Sequence, residues 1–341
     1  MILVSRSSLI LPTQQINNMD YINYVKESPI SMIGTGGLVN SFNFYSAGGG
    51  SPRAVWGGGS SQNTMDFVTI ATTGNATDFG DLITGRRWLA GCSNGSRGLF
   101  GGGYNTNQIQ YITISTESNS QDFGDLVMSR YALASMSSDT RGIFGGGDAS
   151  GNSSTIDYVT IASAGNASDF GDMNTNGYSM TGLASNTRGV FGGGTLSGGQ
   201  TYANVMQYIT IASIGNAADF GDLSVGRRLT ATCDNDTRGV FCGGESASNT
   251  ESIVVDYITI ASTGNATDFG DCVADCAGAA GGSDSDHGVS GIDRGVFGGG
   301  NSAFTGAKNF IQYITISSTG NTTDFGDLTR STYTTSCAAG V

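Results

Sequence analysis

One stretch of the chain decides the fold. It opens with Arg141-Gly-Ile-Phe-Gly-Gly-Gly147, continues through Asp157-Tyr-Val-Thr-Ile161 and ends in Asp169-Phe-Gly-Asp172. The same series occurs six times, and its Asp-Phe-Gly-Asp signature starts at Asp78, Asp122, Asp169, Asp219, Asp268 and Asp324. Successive signatures are 44 to 56 residues apart. Repeats of this length with several short strands each are typical of propeller blades, so the sequence predicts an all-β, six-bladed β-propeller.

Each unit divides into four predicted strands. In the unit quoted above these are Tyr131–Ser137, Gly142–Phe144, Asp157–Ile161 and a short strand beginning at Phe170. The first unit, from Arg53, lacks strand one, whereas residues 330–341 repeat it after the last unit. We therefore predict that residues 330–341 complete the blade begun at Arg53 and close the ring, which removes two exposed sheet edges.

The composition excludes several classes of protein. Glycine accounts for 55 of the 341 residues, charged residues for 13%, and the net charge is −13. A chain this acidic lacks the basic surface that nucleic-acid binding requires, and no window approaches the roughly 20 apolar residues of a membrane span. The single histidine, His287, excludes chemistry that needs two imidazoles, and no Ser/His/Asp set is visible. We predict a protein that is not an enzyme and uses no cofactor.

The repeat resembles the kelch repeat. That family has a glycine pair, a tyrosine-containing strand, an aromatic residue that opens strand four, a leucine, and an arginine before the next strand. Similar places are held here by Gly145-Gly-Gly147, Tyr158, Phe170, Met173 and Arg130. The resemblance covers roughly residues 47–341, which we assign to the kelch-like propeller.

The amino-acid sequence of the repeats is similar to that of kelch-like proteins encoded by marine bacteriophages. The similarity lies in two segments, Gly74-Asn-Ala-Thr-Asp-Phe-Gly-Asp-Leu82 and Arg188-Gly-Val-Phe-Gly-Gly-Gly194. This resemblance implies a tail- or fibre-associated protein of the virion, made in the host cytoplasm. Residues 1–46 lie outside the repeat, and we predict that they form an attachment arm that contacts other virion proteins.

The loops between strands two and three vary in length while the scaffold stays constant. Binding propellers are built in this way, because loops carry function on a rigid frame; neutral drift of surface loops would produce the same variation. The candidate ligand-binding residues, chosen because they can stack on and hydrogen-bond sugars, are Tyr104, Asn105, Tyr202, Asn204, Phe304 and Asn309.

Three functions are open at this point. The propeller could recognise a glycan or receptor on the host surface, it could decorate a capsid or tail with a purely structural role, or it could be a cellular kelch-type interaction module. The first is our working hypothesis.

The signature aspartates allow two interpretations. In the structural one, which we favour, the signature forms a turn in each repeat: the first carboxylate bonds turn amides, the phenylalanine fills the space between blades, and strand-two arginines such as Arg97 and Arg141 pair with the carboxylates. The alternative is calcium binding by paired carboxylates and turn carbonyls. The residues concerned are Asp78, Asp81, Asp122, Asp125, Asp169, Asp172, Asp219, Asp222, Asp268, Asp271, Asp324 and Asp327.

The six cysteines suggest neither a disulfide framework nor a zinc set. Cys92, Met136, Leu183, Cys233 and Val289 each stand five residues before a strand-two arginine, with Cys337 within a residue of the matching place. Such a series is typical of an apolar core position. Cys242 replaces a glycine of the cluster, and Cys272 and Cys276 form a C-x₃-C followed only by His287. We interpret that stretch as an ordinary surface loop and predict no metal site; a zinc site there is the alternative.

Overall fold

The computed structural model describes residues 51–198, 201–246, 250–274, 276–283, 293–302 and 306–340. Throughout these ranges the secondary structure is strand, turn and loop, and nothing in them forms a helix capable of crossing a membrane. The predicted arm over residues 1–46 falls outside the described residues, so its boundary and its contacts stay predictions.

The strands form six antiparallel four-stranded blades, which confirms the predicted all-β, six-bladed propeller. From the inner to the outer strand, blade 1 is β29 (Ser336–Gly340), β1 (Arg53–Gly57), β2 (Gln62–Thr69) and β3 (Thr77–Arg86). Blade 2 is β4 (Ala90–Ser93), β5 (Arg97–Gly101), β6 (Gln108–Thr113) and β7 (Gln121–Asp125). Blade 3 is β8 (Ala134–Ser137), β9 (Arg141–Gly145), β10 (Thr155–Thr160) and β11 (Ser168–Asp172).

The second half of the ring repeats this order. Blade 4 is β13 (Thr181–Ala184), β14 (Arg188–Gly192), β16 (Val205–Thr210) and β17 (Ala218–Asp222). Blade 5 is β18 (Ala231–Asp234), β19 (Arg238–Cys242), β22 (Val254–Thr259) and β23 (Thr267–Asp271). Blade 6 is β24 (Ala280–Ser283), β25 (Arg294–Gly298), β27 (Gly306–Thr315) and β28 (Thr323–Thr332).

Short extra strands lie at the 2–3 loops. They are β12 (Gly177–Tyr178) with β15 (Thr195–Leu196), β20 (Glu245–Ser246) with β21 (Thr250–Glu251), and β26 (Asn301–Ser302) against the start of β27. Because the strands of each blade alternate in direction, the 2–3 loops and the connectors between blades lie on one face, here called the mouth face. The 1–2 and 3–4 turns lie on the opposite face, here called the lower face.

The two ends of the propeller meet in blade 1. Strand β29 pairs antiparallel with β1, and Trp56 lies opposite Cys337. The inner strands β29, β4, β8, β13, β18 and β24 each contact the next, and β24 contacts β29 again. The prediction that the C-terminal strand closes the ring is therefore confirmed.

Two local predictions are wrong. The signature is not a turn: it lies in the outer strand, with a β-bulge where a glycine such as Gly171 opposes strand three. In blade 6 the core position equivalent to Cys92 is held by Gly282, opposite Val296, whereas Val289 lies outside the described residues. The cause is an insertion in the 1–2 turn of that blade, which lengthens the distance along the chain to Arg294.

The space between blades is filled by aromatic side chains. Each signature phenylalanine is buried and meets the strand-three aromatic residue of its own blade edge-on, as Phe123 meets Tyr111 at 6.0 Å between ring centroids. The strand-two arginine lies over that aromatic ring, with 4.4 Å from the Arg97 guanidinium to the Tyr111 centroid. The predicted role of phenylalanine between blades agrees with this packing.

The predicted pairing of strand-two arginines with signature carboxylates is wrong. Arg97 donates instead to the Ile161 carbonyl of the next blade at 2.8 Å, and Arg141 donates to the Ile211 carbonyl at 2.7 Å. The other four blades repeat this contact. A carbonyl at the end of strand three is a fixed acceptor that every blade supplies, whereas the signature carboxylates lie on the outer strand and are exposed or half-buried.

The signature bonds the next blade through its backbone. In all six blades the amide of the second aspartate donates to an asparagine side chain in the next 3–4 turn, as Asp125 does to Asn166 at 3.0 Å and Asp327 does to Asn75 at 3.1 Å. Among the described residues no turn amide donates to a signature carboxylate, so that part of the structural interpretation is corrected. The asparagine, and not the aspartate, supplies the acceptor.

Candidate functional site

The inner strands surround a central channel that holds a cavity of about 180 Å³. Its wall is made of small and hydroxylated side chains, because neighbouring strands approach closely: a Cβ on Gly182 would lie 2.5 Å from the Ser135 carbonyl oxygen. The hydroxyl groups bond across blades. Ser137 donates to the Ser93 carbonyl at 2.6 Å, and Thr232 donates to the Gly182 carbonyl at 2.8 Å.

A closed ring of backbone hydrogen bonds encircles the channel at the mouth face. Each connector contributes one residue, whose amide donates to the carbonyl of the same position in the preceding connector over 2.7–3.2 Å. All six residues have left-handed backbones with φ between 53° and 69°. They are Trp88, Ala132, Ser179, Leu229, Gly278 and Thr334. The ring holds five non-glycine residues in a conformation that costs energy, and so it fixes the geometry of the mouth.

Six side chains border this ring, one from each connector. We call these the mouth residues: Arg87, Tyr131, Tyr178, Arg228, Ala277 and Tyr333. The backbone of each pairs with the first residue of the 2–3 loop in the same blade, as Tyr131 pairs with Asp148 and Arg228 with Glu245. The connectors and the 2–3 loops therefore form one continuous surface around the channel.

Aromatic side chains cluster on one arc of this surface. The Tyr131 ring lies 5.5 Å from Tyr104 and 6.3 Å from Trp88, measured between centroids, and the Arg87 guanidinium lies 5.0 Å above Tyr104. Tyr104 is 52% exposed. The Tyr131 hydroxyl donates to Asp148 at 3.0 Å. Burial, then Asp148, then the neighbouring Tyr104 and Tyr178 raise the pKa of Tyr131, so the phenol stays protonated and keeps its bond to Asp148.

An ion pair continues the arc. Arg228 binds both carboxylate oxygens of Glu245, at 3.1 and 3.2 Å, and its guanidinium lies 5.4 Å from the Tyr202 ring centroid. Burial opposes the charge on Arg228, but Glu245, Tyr202 and Tyr178 together raise its pKa. Tyr178 is the mouth residue of the connector between those that carry Tyr131 and Arg228. We call Trp88, Tyr104, Tyr131, Tyr178 and Tyr202, with Arg87 and Arg228, the aromatic arc.

The structure brings only two of the sequence-predicted ligand residues into this arc. Tyr104 and Tyr202 belong to it, and Asn105 adjoins Tyr104 with a left-handed backbone and an exposed side chain. Asn204 is half-buried, and its carbonyl accepts from the Leu223 amide. Asn309 lies half-buried within β27, away from the arc, and Phe304 lies outside the described residues.

Sequence reasoning missed the connector residues. Tyr131, Tyr178 and Arg228 follow the signature at the same distance, Trp88 stands one residue further on, and both positions vary from repeat to repeat. Variation at a position next to a constant strand could have identified them, since the same kind of variation distinguishes the 2–3 loops. The arc offers aromatic faces, guanidinium donors and a tyrosine hydroxyl, which suits a ligand with apolar ring faces and many hydroxyl groups.

The signature aspartates form no comparable group. Among the residues that the structure describes, the one cluster suited to a metal ion consists of Cys242, Cys272 and Cys276. Whether calcium binds the aspartates stays untested. The comparison with protein-family models gives no match for this chain, and the comparison with curated proteins gives none either. The assignment therefore stands on the fold: the chain is a six-bladed β-propeller.

Proposed function

We propose that this chain is a non-catalytic recognition protein of a phage particle, kelch-like in its repeat, which presents the mouth face to a glycan on the host surface. The observation that carries the proposal is the aromatic arc. It gathers five aromatic rings, two arginines and two carboxylates around one mouth, with Tyr104 half exposed. Ring-on-ring stacking with convergent donors is what a sugar-binding surface requires.

The distribution of structural roles supports this proposal. The lower face repeats one set of contacts in every blade, whereas the mouth residue is tyrosine in three connectors, arginine in two and alanine in one. A contact between two side chains of the mouth face, such as the Arg87 guanidinium over the Tyr104 ring, contributes little to stability, and another pair of side chains could replace it. Such positions are free to serve recognition. The phage origin and the attachment arm rest on the wording of the repeats and on the presence of residues 1–46 outside them.

Two arc variants of the full chain test the proposal. Tyr104→Ala and Tyr202→Ala each remove one stacking face, and each is expected to weaken binding to an array of bacterial surface polysaccharides by about tenfold, equal to about 1.4 kcal/mol. Ile214→Ala is the matched control: that side chain is 65% exposed but lies in a 3–4 turn on the lower face. It should leave binding unchanged, and all three variants should melt near the parent.

The same variants, built into particles that carry the chain, separate recognition from decoration. If the proposal is right, particles assemble normally and lose adsorption to host cells. Normal adsorption by the Tyr104→Ala, Tyr202→Ala double variant, with no glycan bound by the parent on the array, would replace the proposal with a purely structural decoration of the particle.

A further inference from the structure

Three cysteine sulfurs converge between blades 5 and 6. The Sγ atom of Cys242 lies 2.9 Å from that of Cys272 and 3.7 Å from that of Cys276, and Cys272 and Cys276 are 3.3 Å apart. All three side chains are buried, so the predicted surface loop at Cys272 and Cys276 is wrong, and none of the three forms a disulfide. Ordinary non-bonded packing places heavy atoms about 3.5–4.0 Å apart, so two of these contacts are closer than apolar packing alone would favour.

Each of the three cysteines departs from the repeat at a different place. Cys242 stands where the other blades have the first glycine of the cluster, such as Gly192. Cys272 stands where four blades have leucine, and Cys276 holds the connector position of Arg130 and Arg227. These departures are 30 and 34 residues apart along the chain, yet they meet at one point. Independent drift gives no reason for three thiols to meet.

The remaining cysteines provide a contrast. Cys92 and Cys233 occupy an inner-strand position that is filled by Met136 and Leu183 in the intervening blades, and each packs among apolar side chains. Burial raises the pKa of Cys92 to about 12. These thiols therefore act as small apolar side chains, as the sequence predicts.

One charged side chain lies beside the cluster. Among the described residues the charged neighbour of all three sulfurs is Arg227, which also pairs with the buried Asp256 at 2.7 Å. A cation held by three thiolates carries net negative charge and would lie beside this guanidinium.

We propose that Cys242, Cys272 and Cys276 bind one thiophilic metal ion, Zn²⁺ or Cu(I). Thiolates select these ions, and zinc binds sulfur at about 2.3 Å. Three sulfurs on one such ion lie about 3.8 Å apart in a tetrahedral arrangement, so the sulfurs need to separate by less than about 1 Å. The ion would join β19 to the connector before blade 6, where no arginine performs that task.

The test uses the full chain, stripped of metal and reduced under anaerobic conditions. Zn²⁺ and Cu(I) are titrated separately in competition with a chromophoric chelator for each ion, which measures the affinity of the site for each. We expect one ion per chain and release of protons on binding, because the thiols must ionise. Co²⁺ should give a thiolate-to-metal charge-transfer band in the parent protein, which requires no variant.

Cys272→Leu is the diagnostic variant, since leucine fills this position in blades 1, 2, 4 and 6 and should fold there. It should weaken metal binding by more than about 100-fold, because even outer-shell partners of a metal ligand contribute 10–100-fold. Cys233→Leu, which copies the Leu183 of blade 4, is the control and should bind the ion as the parent does.

Three results would overturn the proposal. They are equal affinity in Cys272→Leu and the parent, failure of the parent to bind either ion at one per chain, and weaker binding by the Cys233→Leu control to the same extent as by Cys272→Leu.

Discussion

The lower face and the mouth face hold neighbouring blades together by different means. On the lower face the same contact recurs six times: an asparagine of one 3–4 turn meets the signature of the preceding blade, and in five of the six turns a glycine precedes it. At the mouth face a side chain of each connector also holds its blade in place, and we call this contact the anchor. The residues that form the anchor differ from one blade to the next. Because repeated contacts on one face stabilise every blade, the other face tolerates variation and can carry function.

The anchors at the mouth face follow a rule. In blades 1, 3 and 5 a buried aspartate precedes the strand-three aromatic residue, and a connector arginine lies beside it. Arg130 pairs with Asp157 at 2.8 Å and Arg227 with Asp256 at 2.7 Å, whereas the Nε atom of Arg330, which stands two residues earlier in its repeat, lies 3.8 Å from Asp66. In blades 2, 4 and 6 glutamine takes that position, as Gln110, Gln207 and Gln312. Two of those blades have no connector arginine, since Gly177 and Cys276 stand there.

The reason is electrostatic. Both side chains of the Arg130–Asp157 pair are fully buried, with 2.8 Å between Nη2 and Oδ2. A buried carboxylate without a cation is costly, whereas a neutral amide such as that of Gln312 is satisfied by the Val273 amide and the Thr322 hydroxyl. Aspartate is therefore found only where an arginine arrives from the connector.

The largest expected effect comes from breaking one anchor. Arg130→Ala leaves Asp157 buried and unpaired and should lower the free energy of unfolding by about 3–5 kcal/mol. Adding Asp157→Gln places a small connector residue beside a glutamine, which resembles the glycine and glutamine of blade 4. The double variant should therefore recover most of the lost stability. Urea denaturation of the two variants measures both values, and a double variant no more stable than Arg130→Ala would refute the rule.

The pH dependence of that variant sharpens the same point. Burial raises the pKa of Asp157, and Arg130 opposes the rise, so the pKa rises further without Arg130. A carboxyl raised above its unfolded value of about 3.9 destabilises the fold fully above its folded pKa, and the penalty disappears as the pH falls toward 3.9. The stability gap between Arg130→Ala and the parent should therefore narrow on acidification.

A smaller effect is expected on the lower face, at the signature glycine. Gly124 has φ of 143°, and a Cβ there would lie 2.4 Å from the Gly165 carbonyl oxygen of the next blade. Gly124→Ala should destabilise by roughly 1–3 kcal/mol through backbone strain. Gly165→Ala is the matched control, because a Cβ at Gly165 meets nothing within 4 Å. Equal melting temperatures of the two variants would mean that Gly124 does not contact the 3–4 turn of the next blade.

The smallest effect concerns the asparagine of the same contact. Asn166→Ala removes the acceptor for the Asp125 amide, an exposed bond of 3.0 Å, and should cost about 0.5–1.5 kcal/mol. Asn174→Ala, at an exposed position after the blade 3 signature, should change stability by less than about 0.5 kcal/mol. A loss as large as that of Arg130→Ala would reverse the ranking of the two faces.

Much of the architecture could be predicted because each repeat contains the residues that determine its own strands. The glycine cluster, the strand-three aromatic residue and the signature phenylalanine recur at nearly constant spacing, and period-two alternation places the strands. Closure also followed from the sequence, since the strand missing before Arg53 reappears over residues 330–341. Local pattern determines these features, because strand pairing inside a blade joins segments adjacent in the chain.

Only the tertiary structure decided what joins one blade to the next. The Arg130–Asp157 pair, the convergence of Cys242 with Cys276 and the aromatic arc each unite residues from different repeats, and nothing in a single repeat states which partner will lie opposite. The strand-two arginines illustrate the point. From the sequence we predict carboxylate partners for them, but in the closed ring the carbonyl of Ile161 lies within hydrogen-bonding distance of Arg97. Side chains bond to what the closed ring brings near, and that distance is set by blade packing rather than by order along the chain.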